Sequence, residues 1–162
     1  KYGKVCHKLA HNILDSRQDA EECVNDAYLG TWNAIPPQRP DPLLPFVCVL
    51  VRRYSIMRYR ANTAMKRNSS YDACMEEIEN CIAAPGRVED HYEAKVLART
   101  IERFLDTLNR ENRVIFMRRY WYSDSYAAIA ALTGLTEKNV SVRLARVRKQ
   151  LRDYLMKQGV LT

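Results

Sequence analysis

From Val140 onward the apolar residues recur at intervals of four, three, four and four: Val140, Leu144, Val147, Leu151 and Leu155. At ~100° per residue these five fall in a narrow arc of one helix, so the segment must lay that arc against other secondary structure. What precedes it is equally restrictive. Ser125 can cap a short helix, Tyr126–Leu132. Thr133-Gly134-Leu135 is a turn in which Gly134 is free to take positive φ. Thr136 caps the next helix, with Glu137 favourable in its first turn. Cap, glycine turn and cap in that register predict a helix-turn-helix within Asn109–Leu155.

The face opposite the apolar arc carries Lys138, Val142, Ala145, Arg146 and Lys149; Asn139, Arg143 and Arg152 flank it, and Ser141 and Arg148 sit nearer the core edge. A merely solvated face would mix charges, whereas this helix has seven Lys/Arg against Glu137 and Asp153. Long basic side chains reach phosphates and guanine edges, and Val142 and Ala145 suit thymine methyls. The residues expected to meet DNA are Lys138, Asn139, Ser141, Val142, Arg143, Ala145, Arg146 and Lys149. Packing against a partner protein is the alternative use of a basic amphipathic helix.

The rest of the chain is also helical in period, with only five glycines and no strand signal. Tyr2, Val5, Cys6, Leu9, Ala10 and Ile13 mark one face of a first helix. Ser16 with Asp19 reads as a capping box. It opens a helix to about Trp32 that buries Ala20, Cys23, Val24, Ala27, Tyr28 and Thr31, with Asp19, Glu22, Asn25 and Asp26 on its polar side. Five of the six prolines fall between Pro36 and Pro45, where neither helix nor central strand is expected. Phe46 to about Arg60 is helical again, with Val47, Leu50, Val51 and Tyr54 inward. Asn62–Val88 is linker-like, with Pro85-Gly86 and a short helix near Ala73–Ile82. Helices resume at about Asp90–Leu108 and Glu111–Tyr120. The expected fold is all-α: two small helical domains, 1–67 and 90–162, joined by an acidic linker, 68–89.

The 162 residues include 26 Lys+Arg against 19 Asp+Glu, a net charge of +7 that favours a polyanionic partner. The charge is uneven. Val49–Arg67 holds Arg52, Arg53, Arg58, Arg60, Lys66 and Arg67 and no acid, while Ser69–Leu108 is acidic. Cations beside Phe46, Tyr54 and Tyr59 suit a nucleic-acid single strand, with arginines on the backbone and rings stacked on bases. A basic solvated helix with core tyrosines has the same composition. The acids of Asp19–Asp26 cannot face nucleic acid; they are solvated or dock a protein.

Five cysteines without a CxxC pair read as buried free thiols of a reducing compartment. His7 and His11 could form half a metal site, but no second half is visible. No metal or cofactor is expected. Nothing reads as a signal peptide or as the ~18 apolar residues that span a bilayer. With three His, no Gly-rich phosphate loop and no metal-spaced carboxylates, no enzyme is expected. A stand-alone dimeric helix-turn-helix regulator would need a self-complementary apolar face, and none is evident.

Three segments together carry a family resemblance over nearly the whole chain apart from the linker. They are Asp19-Ala-Glu-Glu22-Cys-Val-Asn-Asp26-Ala-Tyr28-Leu-Gly-Thr-Trp32, the proline-rich loop with Phe46–Arg60, and Leu108-Asn-Arg-Glu-Asn-Arg-Val-Ile-Phe116 followed by Tyr126–Leu151. They resemble bacterial sigma factors of the extracytoplasmic-function (ECF) group. The first is similar to region 2.2, which binds the β′ clamp helices of RNA polymerase; this implies docking through Asp19, Glu22, Asn25 and Asp26. The second is similar to regions 2.3 and 2.4, which melt and read the −10 element; this implies DNA contacts by Arg52, Arg53, Tyr54, Arg58, Tyr59 and Arg60. The third is similar to region 4, which reads the −35 element and contacts the β flap.

The resemblance implies a factor that directs core polymerase to specific promoters and helps open them, in the bacterial cytoplasm and without membrane insertion. Family habit adds an anti-sigma partner. No region 3 domain is implied, and the first helix is expected to begin upstream of Lys1. The chain departs from the family pattern at Phe46 (usually Trp), Arg53 (Asn), Met57 (Asp) and Ala128 (Glu); Arg53 and Met57 bear on −10 base preference.

Overall fold

The structure, a computed structural model, describes residues 1–62, 70–82 and 91–161, with backbone alone for 91–94. Among them are eight helices and no strand: α1 (Gly3–Ile13), α2 (Arg17–Ala34), α3 (Leu43–Asn62), α4 (Ser70–Ile82), α5 (His91–Thr107), α6 (Arg110–Tyr120), α7 (Tyr126–Thr133) and α8 (Glu137–Lys157). The chain divides into two units, Lys1–Ala73 and Cys74–Thr162. Lys66, Arg67, Pro85 and Gly86 lie outside the described residues, as do both ends of the acidic segment.

In the first unit α1, α2 and α3 pack on one another. Cys6, Leu9, Ala10 and Ile13 of α1 meet a core shared with Ala20, Cys23, Val24 and Ala27 of α2 and Val47, Cys48 and Val51 of α3. Alanines and thiols at these positions are small, so the helices can approach closely. All five cysteines are free and buried. Burial pushes the Cys48 thiol up to about 11 and that of Cys23 in the same direction. These thiols pack as small apolar groups.

Val5 and Tyr28 are exposed, not buried; each sits at the rim of its helix's apolar arc. Leu50 and Tyr54 are only half-buried, and Ser55 takes the buried position beside Val51. The proline-rich stretch does not exclude helix to its end: α3 begins at Leu43, so Pro45 lies in its first turn. A first-turn N–H has no intrahelical acceptor, so proline removes nothing there. Ser16 caps α2 by accepting from the Asp19 N–H at 3.2 Å. The Asp19 carboxylate does not close the reciprocal box: its two oxygens accept from Arg58 and Asn62.

The second unit is built on α8. Val140, Leu144, Val147, Leu151 and Leu155 are all buried, in one cluster with Phe104, Ile115, Phe116, Tyr120, Ile129 and Ala130 from α5, α6 and α7. The caps are as expected: Ser125 accepts from the Ala128 N–H and Thr136 from the Asn139 N–H, both at 3.2 Å. Gly134 takes φ 73° in the turn. No atom lies within 4 Å of where a Cβ would stand, so glycine is favoured there by backbone conformation alone.

Cys74 and Cys81 of α4 belong to the same cluster. Part of the acidic segment is therefore folded into this unit, and Glu77 shows why. Its carboxylate accepts from Arg119 (Nη2 at 2.6 Å, Nε at 3.3 Å), from the hydroxyls of Tyr120 (3.1 Å) and Tyr126 (2.7 Å), and from Arg148 Nη1 (3.2 Å). The donors sit on α6, α7 and α8.

Burial works to raise the Glu77 pKa, but hydrogen bonds from Arg119 and Tyr126 and the Arg119 charge outweigh it. The carboxyl is held below its ordinary 4.5. A group with a lower pKa in the folded than in the unfolded state stabilises the fold above its unfolded pKa, and that contribution is lost as pH falls through the folded value. Glu77→Gln is expected to destabilise the protein at pH 7 by at least ~1.5–3 kcal/mol, the worth of one charged hydrogen bond. The gap from wild type should narrow as pH falls below 4.5. Calorimetry between neutral and acid pH checks this; a gap independent of pH would contradict it.

Candidate nucleic-acid interface

Burial of its apolar arc turns the other side of α8 outward. Lys138, Asn139, Val142, Ala145, Arg146 and Lys149 are exposed, and Ser141 and Arg143 are half-buried at the margin. Arg143 Nη1 lies 2.5 Å from Glu111 Oε2 on α6. Arg148 turns inward to Glu77 and to the Tyr120 hydroxyl, at 2.6 Å. Two of the seven cations on α8 thus face acids of their own unit. Lys138, Arg146, Lys149 and Arg152 point outward.

A second arrangement stabilises the turn ahead of α7. Arg118 pairs with the buried Asp124 carboxylate. Arg119 Nη1 donates to the Asp124 carbonyl at 2.9 Å. The segment joining α6 to α7 is thereby tied to the end of α6, which fixes where the short helix starts.

The six candidates on α3 occupy separate surroundings. Arg58 meets α2, with Nη1 3.3 Å from Asp19 Oδ1 and Nη2 3.0 Å from Glu22 Oε2; Asn62, one turn on, donates to Asp19 at 3.0 Å. The structure therefore brings together one residue expected at DNA and two expected at a protein. Arg52 lies over the Tyr71 ring, 6.0 Å from its centroid. The Tyr59 ring makes an edge contact with the same ring at 5.2 Å, and its hydroxyl donates to Asp72. Tyr54 lies against α2 at Gly30, where a Cβ would stand 2.9 Å from its hydroxyl. Arg53 and Arg60 are exposed, in a stripe with Val49 and Met57.

On α2, Glu22, Asn25 and Asp26 are exposed and Asp19 is half-buried. The stripe continues along the helix as Leu29, 60% exposed, and Trp32, 80% exposed. Two large apolar side chains in the open, at helical spacing from the acids, form a mixed surface suited to a protein partner. Sequence reasoning did not single them out. Their spacing from Glu22 and Asn25 was visible, but apolar character alone reads as core.

Among the described residues no group of three or more His, Cys, Asp and Glu is arranged to hold a metal, and no helix is long and apolar enough to cross a membrane.

Comparison with known proteins adds an independent line. The description of sigma-70 region 2 matches residues 1–65, and that of sigma-70 region 4 matches residues 98–151. The chain is also 22% identical over 153 residues to the ECF RNA polymerase sigma factor SigE of Mycolicibacterium smegmatis. That match covers 94% of this chain and 58% of the relative, so the chain spans little more than half of that protein's length. The two regional matches together take in well over half of the chain, one in each structural unit. With both regions present in order, the chain belongs to the sigma-70 family of RNA polymerase sigma factors.

Proposed function

We propose that this chain gives core RNA polymerase its promoter preference and helps open the DNA, in the bacterial cytoplasm and with no bond chemistry of its own. The observation that carries this reading is the outward face of α8. Lys138, Asn139, Val142, Ala145, Arg146 and Lys149 stand exposed on a helix-turn-helix whose opposite arc is buried. In this reading α8 enters the major groove of the −35 element. Ser141 and Arg143 lie at its margin, and Arg143 exchanges Glu111 for a phosphate. Most of the affinity comes from phosphate contacts and most of the discrimination from a few base edges.

The α3 helix takes the −10 element. Arg53 and Arg60 hold the backbone from the exposed stripe, while Arg52, Tyr54, Arg58 and Tyr59 must first leave the neighbours they have here. Pairs as exposed as Arg58 with Asp19 and Glu22 contribute about 0–1 kcal/mol, so a phosphate or a partner protein can replace them. Asp19, Glu22, Asn25 and Asp26 would dock the β′ clamp helices, with Leu29 and Trp32 supplying the apolar part of that contact. The helix-turn-helix unit would meet the β flap. An anti-sigma factor would compete for these same surfaces.

Reversing Glu22 and Asp26 to Lys together is expected to weaken binding to core polymerase at least tenfold, measured by fluorescence anisotropy, while −35 recognition by the other unit is kept. Unchanged core affinity would return this face to a solvated role. Arg146→Ala is expected to reduce preference for the cognate −35 sequence by ~1–3 kcal/mol. An equal loss on every duplex would make Arg146 a phosphate contact instead.

A further inference from the structure

We infer that Glu77, on the helix carried by the segment that reads as a linker, is a positioning residue for DNA reading: through Arg148 it fixes the rotation of α8 about its own axis. This rests on the proposed reading of α8 as the −35 reader. The apolar arc of α8 is buried, but burial is non-directional and tolerates a small roll of the helix. Hydrogen bonds do not, because a shift on the order of 1 Å carries a donor beyond bonding distance of its acceptor.

The one carboxylate of Glu77 takes donors from each of the three helices that make the reader. Arg119 and Tyr120 close α6, Tyr126 opens α7, and Arg148 stands on α8 between Arg146 and Lys149. Arg148 is held a second time by the Tyr120 hydroxyl, at 2.6 Å. Cys81, one turn after Glu77 on α4, donates its thiol to the Arg148 carbonyl at 3.0 Å. Both the side chain and the backbone of one α8 residue are therefore anchored to α4. A roll of α8 by ~10° moves an outward side chain on the order of 1 Å, at the 5–6 Å radius of a helix with its side chains. That is enough to misalign the bidentate contacts by which bases are told apart, while leaving phosphate contacts nearly as good.

The test uses the full chain assembled with bacterial core polymerase. Wild-type holoenzyme first selects −35 sequences from a pool of randomised duplexes. The ratio of affinities for the selected and a scrambled duplex is then measured for wild type, Glu77→Gln and Glu77→Asp, at a temperature where circular dichroism shows all three folded. Glu77→Gln is expected to cut the ratio at least fivefold, with affinity for the scrambled duplex unchanged within twofold. Glu77→Asp, which keeps the charge, should recover part of the ratio. A wild-type ratio in folded Glu77→Gln would overturn the inference and leave Glu77 a stabilising residue only. If Glu77→Gln does not fold, Arg148→Gln takes its place, with the same result expected and the same result overturning it. A wild-type holoenzyme that enriches no sequence overturns the sigma-factor reading itself, and this inference with it.

Discussion

Burying one face of α8 decides what its other face presents. Each of Val140, Leu144, Val147, Leu151 and Leu155 is removed from water, an effect worth ~1.5–3 kcal/mol for a side chain of this kind. An exposed ion pair contributes ~0–1 kcal/mol. The apolar arc therefore sets which side of α8 faces the core, to within a small roll, and the cations follow. The caps at Ser125 and Thr136 and the left-handed Gly134 between them set where each helix stops and starts. With start and orientation both fixed, Lys138, Val142, Arg146 and Lys149 have only one side on which to appear.

Charge is distributed differently from what composition implies. Net positive charge draws a polyanion from a distance, but at close range several cations already face groups within their own unit. Arg143 meets Glu111, Arg148 and Arg119 meet Glu77, Arg118 meets Asp124, and Arg58 meets Asp19 and Glu22. These pairs fall into two kinds. Those around Glu77 and Asp124 lie largely away from water and join helices to one another or to the segment between α6 and α7, so they act as structure. Those of Arg143 and Arg58 are more exposed and readily exchanged for a phosphate or a partner's side chain. In the proposed reading, only the second kind belongs to surfaces that change when the protein binds.

The helix-turn-helix was legible in the sequence because its signals are local. A cap, a glycine and a period of 3.6 residues are visible within 30 or so positions, and α8 runs over Glu137–Lys157 as expected. The two-unit, all-helical organisation was legible for the same reason. Contacts between distant positions were not. The acids of the middle segment read as part of a linker, yet Glu77 finds Arg119 and Arg148 at separations of 42 and 71 residues. No periodicity reports such a pairing. Tyr54 and Tyr59 read as rings ready for bases, but Gly30 and Tyr71 give them neighbours that composition does not reveal. Leu29 and Trp32 were not singled out, because apolar character on a helix ordinarily signals core, and here they stand outside.

The central claim is that an all-helical chain with an outward basic α8 and an acidic, partly apolar α2 serves one task, the specific start of transcription. Run-off transcription on fragmented genomic DNA tests this most directly, comparing bacterial core polymerase alone with core polymerase plus this protein. The account predicts new, discrete transcripts only when the protein is present, with shared sequence elements near −10 and −35 when their start sites are aligned. Transcription unchanged by the protein, or new starts with no shared upstream elements, would contradict it.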